Sequence, residues 1–268
     1  MAIPHLPPEL LDYIVDLLQD IPGALKACCL VSKSWVPRAR RHLFSRIALL
    51  TAQSLRAWKT TFQDPSTSPA YYTRSLLIQY PRVVTVADAE ERGWISTFSR
   101  VVHLEMEIDG TGVYERGTFL IPFHGFPPAL RSLRVSFAGL PSSHVSDLIH
   151  SFPHLQDLAV TPYDVYDSGS SFHKRRVAIP PSSAFAFTGS LKISLSMGVS
   201  DPITSRLLSL PNGLFFRELL LKLDRKEDMV LAMELVRRCS FTLETLGVGR
   251  ELTGTTIQRF STCVHADQ

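Results

Sequence analysis

With 268 residues, 45% of them hydrophobic and 20% charged, the chain has the balance of a globular protein and room for one large domain or a small and a medium one. A formal net charge of +3 falls far short of the concentrated positive field that a phosphate backbone rewards, so no nucleic-acid partner is expected. Cys28, Cys29, Cys239 and Cys263 form no CxxC pair and no regular framework, which points to reduced thiols, with neither a metal site nor a cofactor expected.

The N-terminus places Asp12, Asp16 and Asp20 where a secretory signal needs an apolar stretch, and no apolar run in the chain approaches the ~18 residues of a membrane span. A cytoplasmic or nuclear protein is the expectation. Pro7 and Pro8 suit a helix start, since first-turn amides lack partners there, and Glu9 and Asp12 complement the positive end of the helix. Leu10, Ile14, Leu17 and Leu18 follow at helical spacing, and Leu11 and Val15 widen the stripe until it calls for two partners. Ile21-Pro22-Gly23 is expected to end this helix. A second segment from Ala24 to Val36 carries Leu25, Cys28, Cys29, Leu30 and Val31, and Pro37 breaks it before a basic third helix with Arg38, Arg40 and Arg41, whose charges are expected on an outer, solvated face. Three such short helices can bury little against one another and should need outside support.

The string Leu6-Pro7-x-Glu9-Leu10 with Ile14, Leu17 and Leu18, then Leu25, then Leu30-Val31-Ser32-Lys33-x-Trp35, resembles the F-box signature in order and spacing over about a sixth of the chain. Asp20-Ile21-Pro22-Gly23 and Cys28-Cys29 depart from it locally. The resemblance implies that Leu6, Pro7, Leu10, Ile14, Leu25, Leu30, Val31 and Trp35 contact a Skp-type adaptor, or pack to present that contact, and that a cullin is reached through the adaptor.

After Ala48 a helix-like stretch with Leu49, Leu50, Leu55 and Trp58 leads to the turn-rich Asp64-Pro65-Ser66-Thr67-Ser68-Pro69. The expected organisation is therefore 1–50 as F-box, 51–70 as helix and linker, and 71–268 as a recognition domain. In that last part a leucine, any residue, then an aliphatic residue or Met recurs seven times: at Leu76, Leu104, Leu133, Leu158, Leu191, Leu219 and Leu246. The intervals are 28, 29, 25, 33, 28 and 27 residues. Leu130, Leu155, Phe216 and Leu243 stand three positions before their leucines, giving an LxxLxV-like string that resembles an irregular leucine-rich repeat. Each copy reads as a short strand followed by a returning segment, helical at 142–152 and 228–239. One asparagine, Asn212, leaves no asparagine ladder to close the turns.

The expected fold is thus α+β with an α/β repeat: a three-helix F-box, then an irregular leucine-rich-repeat-like solenoid. Residues between the leucine and aliphatic positions, His103, Glu105, Ser132, Arg134, Asp157 and Ala159 among them, are the candidates for binding a protein substrate. The long interval 161–189, with Tyr163, Tyr166, His173-Lys174-Arg175-Arg176 and Pro180-Pro181, reads as an extended loop of the kind that often carries recognition. After Val248 only Leu252, Ile257 and Phe260 precede Cys263, so the last repeat is expected to be short of a cap, as in a fragment or truncated product.

Catalytic patterns are missing. No GxxxxGK[ST], GxGxxG or GxSxG string occurs, Pro153 separates His150 from His154, and Glu105 and Glu107 share a strand face opposite Leu104 and Met106. A non-catalytic adaptor is expected: the substrate-recognition subunit of a Skp-cullin-F-box ubiquitin ligase. A scaffold that binds the adaptor without ubiquitin transfer is the alternative, and a hydrolase with an unrecognised site a more remote one.

Overall fold

The structure is a computed structural model, and it describes residues 7–64, 68–80, 96–108, 129–138, 152, 154–163, 188–195, 200–210, 214–223, 226, 228–249 and 258–261. It is α+β: helices at the N-terminus, then one sheet. Helix α1 spans Pro8–Leu17, α2 Pro22–Val31 and α3 Val36–Leu43. The two prolines expected to stop helices instead begin them. Pro22 opens α2 and Pro37 lies in the first turn of α3, positions where the missing amide costs nothing. Helix α1 ends earlier than expected, at Leu17, and the Ser32 hydroxyl turns the chain after α2 by accepting the Ser34 amide at 3.3 Å.

Strand β1, Arg46–Leu49, begins the sheet inside the stretch expected to be purely helical, and Leu49 belongs to it rather than to the following helix. Helix α4, Ala52–Thr61, starts at the Thr51 cap, where Thr51 and Ser54 satisfy each other's amides at 3.0 Å. Its Trp58 stacks on Phe98 at 5.7 Å between ring centroids and meets Phe44 edge-on at 6.5 Å, which ties the end of the helical region to the sheet core. A 3-10 turn, Pro69–Tyr72, precedes β2 (Ser75–Tyr80) and packs beside α3. The described residues between 51 and 70 thus include α4, whose Trp58 packs on the sheet core, and the start of the 3-10 turn.

The remaining strands are β3 (His103–Ile108), β4 (Ser132–Ala138), β5 (Asp157–Tyr163), β6 (Ser190–Ser194), β7 (Glu218–Lys222), β8 (Thr245–Gly249) and β9 (Gln258–Ser261). All seven leucine-x-aliphatic copies are strands. They lie side by side in chain order, parallel from β1 to β8, with β9 antiparallel along the outer edge of β8. That antiparallel strand was not expected. Helix α5, Ser200–Leu208, joins β6 to β7, and α6, Asp228–Cys239, joins β7 to β8 as the spacing predicts; the two pack on each other. The helix expected at 142–152 lies outside the described residues, apart from buried Phe152.

Register explains the core. Ile47, Leu76, Leu104, Leu133, Leu158, Leu191, Leu219 and Leu246 align across the strands, and Leu49, Ile78, Met106, Val135, Val160, Ile193, Leu221 and Val248 form a second column two residues on. With α5 and α6 these columns, Val248 apart, make one continuous core that also holds Ile203, Leu207, Ala232 and Leu235. Each buried leucine contributes about 1.5–3 kcal/mol.

All but one of the parallel strand entrances are fixed by backbone alone. At six of the seven parallel junctions two successive amides share one carbonyl of the preceding repeat: those of Arg74 and Ser75 on Ser45, at 2.8 and 3.0 Å, and those of Arg131 and Ser132 on Val102, both at 2.9 Å, are examples. The seventh junction differs. Gly189 donates to Gln156 at 3.2 Å, while the next amide, Ser190, goes to the Asp157 carboxylate at 2.8 Å.

Candidate docking surface

Helix α1 has two apolar faces. Val15 is buried, with Leu18 beside it, in a small core made with Leu25, Cys28 and Ala39 and flanked by Trp35 and Leu43. Leu10, Tyr13, Ile14 and Leu17, at i, i+3, i+4 and i+7, are exposed on the opposite side. Val15 and Leu18 therefore face inward, with Leu11 half-buried, and the residues read from sequence as the main stripe mostly face outward. At the end of α2, Leu30 is 89% and Val31 69% exposed, although both are aliphatic and adjacent. Ile21, between the helices, is exposed as well.

The structure thereby separates residues that the sequence groups together. Leu10, Ile14, Leu30 and Val31 are free to contact a partner, and Pro7 is exposed next to them in sequence. Leu25 is 1% exposed and Trp35 packs against the same core, so these two hold the helices together and do not offer surface. Leu6 lies outside the described residues. Tyr13 and Leu17 belong to the exposed face and are not among the expected contacts, though their spacing from Leu10 and Ile14 carries the signal.

One polar cluster sets the face. Asp16 accepts from Arg38 Nε at 2.7 Å, pairs with Arg38 Nη2, and lies 2.6 Å from His42 Nε2, fastening α1 to α3. Arg38 hydrogen bonding, aided by His42 and opposed by burial, holds the Asp16 carboxyl well below the usual aspartate range. Arg38 thus turns toward α1, where the sequence expects a solvated face, and is half-buried through that pairing, while Arg41 of the same helix is exposed.

The substrate candidates lie along the face of the sheet opposite the leucine columns. His103 and Arg134 are exposed and Glu105, Ser132, Asp157 and Ala159 half-buried. Glu105 pairs with Arg134 at 3.2 Å across β3 and β4, and Glu107 accepts from Gln79 at 2.6 Å across β2 and β3. Asp157 serves the fold itself, because its carboxylate accepts both the amide and the hydroxyl of Ser190, at 2.8 and 3.1 Å. Of the long interval, 161–163 belong to β5 and 164–187 lie outside the described residues. Among the described residues no group of three His, Cys, Asp or Glu is placed to hold a metal, and no helix is long and apolar enough to cross a membrane. Comparison with family models, with curated proteins and with solved structures finds no match for this chain.

Proposed function

We propose that the chain is the substrate-recognition subunit of a Skp-cullin-F-box ubiquitin ligase, without catalytic residues of its own, acting in the cytoplasm or nucleus. The first fifty residues are read as an F-box, and the consecutive in-register strands as an irregular leucine-rich-repeat-like solenoid that holds a protein substrate. The observation that carries the reading is the outward apolar face of α1, with Leu30 and Val31, at positions of the F-box-like signature. Such residues gain by leaving water only if another protein covers them. Holding a substrate beside a ubiquitin-charged enzyme then raises the transfer rate through effective concentration.

The test is binding of the purified chain to a Skp-type adaptor, comparing wild type with the Leu10→Asp, Leu30→Asp double variant. Both leucines are exposed, so the variant is expected to keep its circular dichroism and lose at least about tenfold in affinity, as removal of a docking anchor does. Leu25→Asp, by contrast, is expected to unfold the helices. A wild-type chain that does not bind any such adaptor would remove the ligase reading.

A further inference from the structure

The entrance ends of the first four strands carry a row of basic side chains. Arg46 opens β1, Arg74 immediately precedes β2, Arg100 and His103 stand at the start of β3, and Arg131 immediately precedes β4; all five are exposed. Adjacent strands are ~4.8 Å apart, so Arg74 and Arg131, at equivalent positions two strands apart, are separated by about 10 Å along the rim. Their main chains are immobilised by the shared-carbonyl contacts, since the Arg74 carbonyl accepts the Val102 and His103 amides at 2.9 and 3.0 Å and the Arg131 carbonyl those of Gln156 and Asp157 at 2.7 and 2.9 Å. The guanidinium of Arg100 lies over the Tyr71 ring, 3.8 Å from its centroid, and contacts the Tyr71 hydroxyl.

Among the described residues, counter-charge is sparse there. Asp20 approaches Arg46 at 3.8 Å with both side chains largely exposed, and Arg74 and Arg131 have no acidic partner among the described residues. Farther along the same rim the balance changes, because Arg217, equivalent in position to Arg74 and Arg131, is answered by Glu244 at 3.6 Å. The charge is therefore confined to one end of the rim, next to the helical region. A chain with a net charge of only +3 that gathers arginines on one edge has an electrostatically specific surface.

We propose that this rim, at the entrance of β1 to β4, binds an acidic stretch of a protein partner in extended conformation. An extended segment advances ~3.3–3.6 Å per residue, so its side chains on one face repeat about every 7 Å, and five or six residues cover the four strands. Guanidinium groups take carboxylates in planar, two-point contacts, which suits Arg74 and Arg131 better than lysine would. Among the described residues no aromatics alternate with these arginines as a stacking platform for nucleobases requires, and the ring beside the row, Tyr71, has its face covered by Arg100. Such a partner is the one held by the repeat region in the function proposed above, on which this reading rests; adaptor binding is measured separately.

The experiment uses the full chain and fluorescence anisotropy of a labelled twelve-residue glutamate peptide at low and moderate salt, with its glutamine counterpart, a single-stranded oligonucleotide of equal charge and phosphatidylserine vesicles as comparison arms. Wild type is expected to bind the glutamate peptide, less tightly as salt rises, and not the glutamine peptide. Arg74→Glu with Arg131→Glu should weaken binding on the order of tenfold, whereas Arg217→Gln, at the balanced end, should leave it unchanged. The neutral pair Arg74→Gln, Arg131→Gln, with folding followed by circular dichroism, replaces the reversal should the latter disturb the fold. Equal binding by the rim variants and wild type would overturn the proposal, and so would tighter binding of the oligonucleotide or the vesicles through the same arginines. Rim variants should bind the adaptor as wild type does, so adaptor failure with peptide binding intact would sink the ligase reading and leave the rim standing.

Discussion

Gly189 shows how a single atom can be excluded. A Cβ there would overlap the Asp157 carboxylate and press on the Gln156 carbonyl oxygen at 2.9 Å, at the one junction that uses a side chain in place of a shared carbonyl. Gly189→Ala is therefore expected to cost about 1–3 kcal/mol, by displacing Asp157 from Ser190, and urea denaturation would measure it. Thr73 presents the opposite opportunity. It occupies the position three before Leu76, where other repeats place buried Val101, Leu130 and Leu155, and its buried hydroxyl has no partner among the described residues. Thr73→Val keeps the shape and removes the unsatisfied group, so a gain of about 1 kcal/mol is expected, read as a raised denaturation midpoint with unchanged slope.

Helix α1 depends on a polar fastening as much as on its apolar stripe. Because the folded Asp16 carboxyl is held below its ordinary value of 3.8, its contribution is fully present above that value and is lost as pH falls through the folded one. Asp16→Asn should then destabilise the α1–α3 contact by about 1 kcal/mol at neutral pH, with the gap between variant and wild type closing in denaturation series carried below pH 3.8. At this scale legibility was uneven. The strands could be read because leucine-x-aliphatic strings recur and only one face of each is buried. Strand β1 escaped because Ile47 stands where the others have leucine, although it lies 29 residues before Leu76 and fits the period. Which side of α1 faces inward was not legible, since Leu10 and Leu11 are the same residue type and the contacts that orient the helix, Asp16 with Arg38 and His42 and Val15 with the small core, lie far away in sequence. For the same reason Leu25 could not be told from Leu30 as a contact until the packing was known.

Across the whole molecule, the columns of the core run through strands that touch only their neighbours in sequence order. Stability in such an array is transmitted from one unit to the next. Leu158→Ala, in the middle of the leucine column, should cost about 2–5 kcal/mol. Hydrogen exchange should rise first in β4, β5 and β6, and β1 should stay protected longest; a uniform rise over the whole sheet would show that the array opens as a single unit.

The shared carbonyls at the strand entrances have a bearing on how such a sequence can change. They require no particular side chain, which is how the chain manages with a single asparagine, and at six of the seven parallel junctions they bring the strand back to the same starting point whatever the length of the segment before it. Intervals of 25 to 29 residues thus end on aligned leucines, so errors of length do not accumulate from repeat to repeat, and the 33-residue interval before β6 is closed by Asp157 instead. Insertions and deletions between strands become local events, and new outer surface can be added without disturbing the old core.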